Sequence, residues 1–152
     1  MKNKKAFTTL ELLAVIIILG ILITLAYMGV SQYLTRARNT TYESFEAAIT
    51  DGVTNYLIDH TGSIPNVGET LKVDVSKLIC EGYVDRLEDP RDSSKTCNLE
   101  SYAIVKRNEN TSSNMNIEYE ACLKCSTYES EACSTITSFD KTLTKDDSCE
   151  VE

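Results

Sequence analysis

Two constellations in this 152-residue chain have residue types and spacings suited to chemistry. The first is Cys122-Leu-Lys-Cys125, a C-x-x-C pair followed by Cys133 and Cys149 and preceded by Cys80 and Cys97. Thiols so spaced can ligate zinc, form a redox couple or close disulfides. A zinc ribbon needs a second C-x-x-C pair, and the gaps after Cys125 match no common ribbon. A thioredoxin-type couple needs a strand-to-helix turn within an alternating α/β pattern, which this chain lacks. An even number of cysteines in a small polar segment points instead to structural disulfides and an oxidising compartment. The pairing favoured here joins Cys80 to Cys97, Cys125 to Cys133 and Cys122 to Cys149.

The second constellation is a single carboxylate. From Leu12 to Val30 there is no charge, and Thr24 is the only clearly polar side chain. Glu11 stands at the head of that run. A carboxylate inside an apolar span costs roughly 2.5–3.5 kcal/mol on insertion scales. A cationic partner is therefore expected, yet the nearest cations in the sequence are Lys5 and Arg36.

Other chemistry is thinly supplied. There is one histidine and no tryptophan, glycine-rich phosphate loop or paired-histidine metal motif. No catalysis and no cofactor are expected. The chain carries 15 Lys and Arg against 23 Asp and Glu, a net charge of −8. Residues 31–152 hold 12 basic and 22 acidic side chains, a balance that repels phosphate backbones, so no direct nucleic-acid binding is expected. The acidic stretches Glu118–Glu131 and Asp140–Glu152 read as solvated faces and not as a calcium site. His60 reads as a helix cap or a solvated side chain. Asn39-Thr-Thr and Asn110-Thr-Ser match the N-glycosylation acceptor pattern.

The elements that must position these residues follow from hydropathy. Residues 1–6 are a short basic leader with Lys2, Lys4 and Lys5. Residues 7–30 form a transmembrane helix, long enough to cross a bilayer core. The lysines before it favour a cytoplasmic N-terminus and a head outside. Residues 31–58 continue the helix as an amphipathic segment, because Val30, Leu34, Ala37, Thr41, Phe45, Ala48, Ile49, Val53, Tyr56 and Leu57 recur at steps of three and four. A helix from Phe7 to Leu57 would be roughly 75 Å long. Gly20, Gly29 and Gly52 are weak points within it.

Residues 59–152 form a small disulfide-rich α+β head. Thr61–Gly68 is rich in turn formers and ends the long helix. Asp74 or Ser76 caps a short helix over Val75–Glu81, stopped by Gly82. Leu87–Asp92 reads as a loop. Tyr102–Lys106 and Met115–Cys122 read as strands joined by polar Asn108–Asn114 into an antiparallel hairpin. The last 27 residues read as an irregular tail stapled by disulfides.

Lys4-Lys-Ala-Phe-Thr-Thr-Leu-Glu-Leu-Leu13 resembles the class III leader of type IV pilins and pseudopilins. That family has a basic leader, a cut just before a Phe and a Glu at the fifth residue of the product. Gly20-Ile-Leu22, Tyr33 and Arg36 also fall where the family commonly has the same residues, and the likeness covers residues 2–38. Gly82–Pro90 loosely resembles the region after the long helix in secretion pseudopilins. The chain departs from the family pattern at Ala6, where Gly is usual, at Thr9, where an apolar residue is usual, and at Met28, where many members have a kinking proline.

The resemblance implies a lollipop fold, with the long N-terminal helix packed on a small antiparallel sheet. It implies cleavage by a prepilin peptidase between Ala6 and Phe7 and N-methylation of Phe7. It also implies that Glu11 meets the N-terminal amine of a neighbouring subunit during assembly. The expected function is a structural subunit of a type IV pilus-like filament on the cell surface, in a pilus, competence or secretion system, with identical or related subunits, the membrane and the peptidase as partners. The alternative is a monomeric membrane-anchored binding module, in which Glu11 has no role.

Overall fold

The structure is a computed structural model that describes residues 8–108 and 116–149, with Met28 described for its backbone alone. The processing residues Ala6 and Phe7, the Asn110 acceptor triplet and most of the expected hairpin loop lie outside the described residues. The chain divides between Asn39 and Thr40 into two compact units.

The first unit holds the N-terminal part of helix α1 (Thr9–Asp59). Helix initiation there is local. Thr8 Oγ1 accepts a hydrogen bond from the Glu11 backbone N–H at 3.3 Å, and Thr8 O takes the Leu12 N–H at 3.2 Å. Thr8 thus caps the orphan donors of the first turn, with Glu11 at the position of a capping-box acid. α1 is long and apolar enough to span a membrane, with a mean hydropathy of 2.7 over its most apolar stretch. Thr24 does not disturb this, because its hydroxyl donates to Gly20 O at 2.8 Å within the helix.

The second unit is α+β. The remaining part of α1 packs on a four-stranded sheet made of β1 (Thr70–Asp74), β4 (Tyr102–Arg107), β5 (Ile117–Cys122) and β6 (Lys141–Leu143), in the order β5-β4-β1-β6. Between β1 and β4 lie α2 (Val75–Cys80), β2 (Glu88–Asp89) and β3 (Asp92–Thr96), and α3 (Ala132–Thr135) follows β5. Strand alternation sorts the side chains by face. Leu71, Val73, Ala103, Val105 and Ala121 join Tyr42, Ile49, Val53, Tyr56 and Leu57 of α1 in the main core. Tyr102, Ile104 and Cys122 meet Ala132, Cys133, Ile136 and Phe139 in a second cluster.

The helical stripe expected from spacing is corrected at several positions. Tyr42 is fully buried although the stripe omitted it, whereas Ala48, Val30, Leu34 and Ala37 are exposed. The sheet is mixed and not purely antiparallel. β4 pairs antiparallel with both β1 and β5, as the hairpin reading expects, but β6 pairs parallel with β1. β5 and β6 therefore point the same way, and such a pair needs a crossover. Residues 123–140 supply it by passing α3, Ile136 and Phe139 against the second face. Asp140 Oδ2 then accepts from Thr70 N and Thr70 Oγ1 at 2.8 and 3.0 Å, which starts β6 beside β1. The segment read as an irregular tail thus contains a helical turn and an edge strand.

Of three local readings, two change and one stands. Asp74 stands at the start of α2 but makes no side-chain cap bond, because its carboxylate pairs with Lys72 Nζ at 3.1 Å. Gly82 does end α2, at φ +80°, with Tyr83 N–H donating to Leu78 O at 2.8 Å. Leu87–Asp92, read as a loop, holds β2, a turn at Pro90-Arg91 and the first residue of β3, with which β2 pairs.

Candidate functional site

Three places carry the sequence's candidate residues, and the apolar part of α1 is the first. Leu10 is 80% exposed, and every leucine, isoleucine and valine from Leu12 to Val30 that the structure describes stays exposed. Apolar side chains all round a helix leave no face for water. Glu11 lies in the first turn, where the positive end of the helix dipole favours a carboxylate. None of the ion pairs among the described residues involves it. Its backbone N–H does have a local partner in Thr8, legible in the T-x-x-E signature of Thr8-Thr-Leu-Glu11.

The six cysteines form the second place. The bridges are Cys80–Cys149, Cys97–Cys125 and Cys122–Cys133, so all three expected pairings are corrected. Cys122 points to the second face of the sheet and meets Cys133 of α3 there. Cys125 lies beyond the end of β5 and faces Cys97 at the end of the β2–β3 hairpin. Cys149 is left for Cys80 at the end of α2. The C-x-x-C pair is split between two bridges because Cys122 is in a strand and Cys125 is past it. This split also takes apart the four thiolates that the zinc reading required. Among the described residues no cluster of three or more His, Cys, Asp or Glu could hold a metal.

The third place was not anticipated. Asp89 is 2% exposed, and its carboxylate accepts from Tyr42 OH at 3.2 Å, Arg91 N at 2.9 Å, Ser126 N at 3.1 Å and Ser126 Oγ. Burial opposes ionisation, but the Ser126, Arg91 and Tyr42 hydrogen bonds outweigh it and hold the carboxyl below the usual aspartate range. The Tyr42 ring stacks on Tyr128 at 4.1 Å, and Tyr128 OH donates to Glu46 Oε1 at 2.8 Å. Burial and that bond push the Tyr128 phenol up to about 12. Every acceptor direction on Asp89 is used, so this is a latch between α1, the β2–β3 hairpin and the segment after β5. It has no free valence for a ligand.

His60 occupies the cap role expected for it. Its Nδ1 donates to Tyr56 O at 3.1 Å, and its ring stacks on Tyr56. Nearby, Tyr83 OH donates to Asp59 Oδ2 at 2.8 Å, which drives the phenol up to about 12. An open cleft of about 400 Å³ is lined by Lys95, Thr96, Leu99, Glu100, Lys124, Cys125 and Ser126. Both of its lysines already have carboxylate partners, Lys95 with Asp92 at 3.5 Å and Lys124 with Glu129 at 3.1 Å. The chain matches no protein-family model, no curated protein and no solved structure.

Proposed function

We propose that the chain is a precursor subunit of an extracytoplasmic type IV pilus-like filament, held in the membrane by the apolar part of α1 until assembly. The observation that carries this reading is the apolar helix surface from Leu10 to Val30, which the described residues of its own unit leave exposed and which has one carboxylate at its head. Lipid covers such a surface in a monomer, and the equivalent helices of neighbouring subunits cover it in a filament. A bare amine in the next subunit gives Glu11 a charge partner, where no ion pair among the described residues of one chain involves it. A buried pair of that kind sets register more than it adds stability.

In this scheme a peptidase cuts between Ala6 and Phe7, the Phe7 amine is methylated, and the N-terminus faces the cytoplasm. The second unit is the outward head. The protein is a substrate and building block with no catalytic step of its own.

Two measurements test it. Intact mass of the membrane form is expected to show loss of residues 1–6 and gain of one methyl group; a mature N-terminus at Met1 overturns the processing step. Glu11→Ala is expected to insert normally yet be depleted from sheared filaments relative to the membrane pool. Glu11→Gln keeps shape and hydrogen bonding, so its deficit isolates the ionic part. The second reading, a membrane-anchored binding module, is favoured by the cleft at Lys95 and Lys124. It replaces the first if the unmutated chain enters no filament.

A further inference from the structure

The three bridges differ in access. Cys97 is 1% exposed and Cys122 is fully buried, so each of their bridges has one end sealed in a core cluster. Cys80 and Cys149 are both partly exposed and belong to neither cluster. Exchange requires an incoming thiolate to approach a sulfur along the S–S axis, so burial at one end of a bridge closes half of its approaches.

Apart from the Cys149 bridge, the segment after β6 is tied to the rest of the head, among the described residues, by little more than the attraction of Asp146 for Lys77 of α2. Residues 144–149 follow β6, and residues 144 and 146–148 are exposed. Among the described residues their hydrogen bonds are local, Cys149 N–H to Asp146 O at 3.1 Å and Lys145 Nζ to Cys149 O at 2.7 Å. By contrast, the segment after β5 keeps the Asp89–Ser126, Ser101–Lys124 and Tyr128–Glu46 contacts whether or not Cys125 is bridged.

We propose that Cys80–Cys149 is a thiol–disulfide exchange site, at which a dithiol donor opens the bridge and frees the strap of residues 144–149 while the head stays folded. The surroundings also set the direction of attack. The Lys145 ammonium sits on the Cys149 carbonyl and favours a thiolate at Cys149. Cys80 ends α2, where the helix-end carbonyls disfavour one; the Glu81 carboxylate beside it is paired with Lys77 Nζ at 2.8 Å and adds little. The better leaving group is thus Cys149. A donor thiolate attacks Cys80 Sγ, the Cys80–Cys149 bond breaks, and Cys149 leaves as a thiolate and takes up a proton. The donor's second thiolate then attacks its own sulfur in the mixed disulfide and expels Cys80, which is protonated in turn. The donor leaves oxidised to a disulfide, and its two electrons remain on the two cysteine thiols.

The test uses the full chain in detergent, with dithiothreitol as the dithiol. Timed alkylation and peptide mapping are expected to show Cys80 and Cys149 labelled about tenfold faster than the other four. Tryptic cleavage after Lys145 is expected to appear in step with that labelling. First opening of either other bridge, or simultaneous labelling of all six, overturns the proposal. With glutathione as a monothiol the adduct is expected on Cys80; an adduct on Cys149 overturns the direction of attack. A Cys80→Ser/Cys149→Ser variant is expected to unfold cooperatively and to be cut after Lys145 without reductant. If its remaining two bridges scramble, local release is wrong.

Discussion

Helix α1 belongs to two regions that use apolar residues in opposite ways. Before Asn39 the described large apolar side chains are exposed around the whole circumference, whereas after Thr40 Tyr42, Ile49, Val53, Tyr56 and Leu57 are buried on one side and mostly polar residues occupy the other. The second pattern is solved within the chain, by a sheet that offers Leu71, Val73 and Val105. The first is left uncovered by the described residues of its own unit and suits an apolar environment such as lipid. Similar helix-forming sequence can therefore report either a core or a need for external cover, and the circumference distinguishes them.

The largest expected effect breaks this comparison outright. Ile49→Ala removes a fully buried side chain and is expected to cost about 2–5 kcal/mol in chemical unfolding of the second unit. Ile17→Ala, at an exposed position of the first unit, should leave that transition where it is. Equal losses in both variants would mean that the two regions are not distinct.

Asp89→Asn comes next. It turns one of the two oxygens into an NH2 group, which then faces either the Ser126 N–H and hydroxyl or the Arg91 N–H and Tyr42 hydroxyl, and about 1–3 kcal/mol is expected from unmade buried hydrogen bonds. The same carboxylate predicts a pH dependence. Its folded pKa is below the unfolded value of about 4, so its contribution is fully present above that value. It is lost as pH falls through the lower folded pKa. Thermal unfolding followed from neutral to strongly acidic pH should show this decline, and Asp89→Asn should flatten it.

Gly52→Ala is expected to be destabilising by about 1–2 kcal/mol through overpacking, against the usual helix-propensity gain. A Cβ there would collide with Val84 Cγ2 and lie 3.0 Å from Tyr83 O. Gly20→Ala, with open space around it, should be neutral or slightly helix-stabilising by circular dichroism. The pair sharpens the comparison, since one substitution has opposite signs in the two regions. Glu11→Ala has the smallest expected effect. Head unfolding should be unchanged, because Glu11 belongs to the first unit, where its backbone N–H is bound to Thr8.

Much of this was legible in the sequence where the cause is local. The long helix shows in its unbroken apolar run, the stop at Gly82 in its need for positive φ, and the β4–β5 hairpin in strand composition. Tyr42 was missed because a tyrosine among polar neighbours reads as surface until Asp89 and Tyr128 come to meet it. β2–β3 was missed because Asp-Pro-Arg-Asp reads as a turn, and the strands on either side are polar and short.

By itself, then, the sequence determined that an apolar helix with one carboxylate at its head precedes an acidic, cysteine-rich α+β unit. Hydropathy and charge act residue by residue, and no fold is needed to sum them. Only the tertiary structure decided which cysteines meet, that β6 runs parallel to β1, that Gly52 is a contact point and that Asp89 is a latch. Each of these depends on segments far apart in the chain arriving at one place, and what brings them there is the burial of two sheet faces at once.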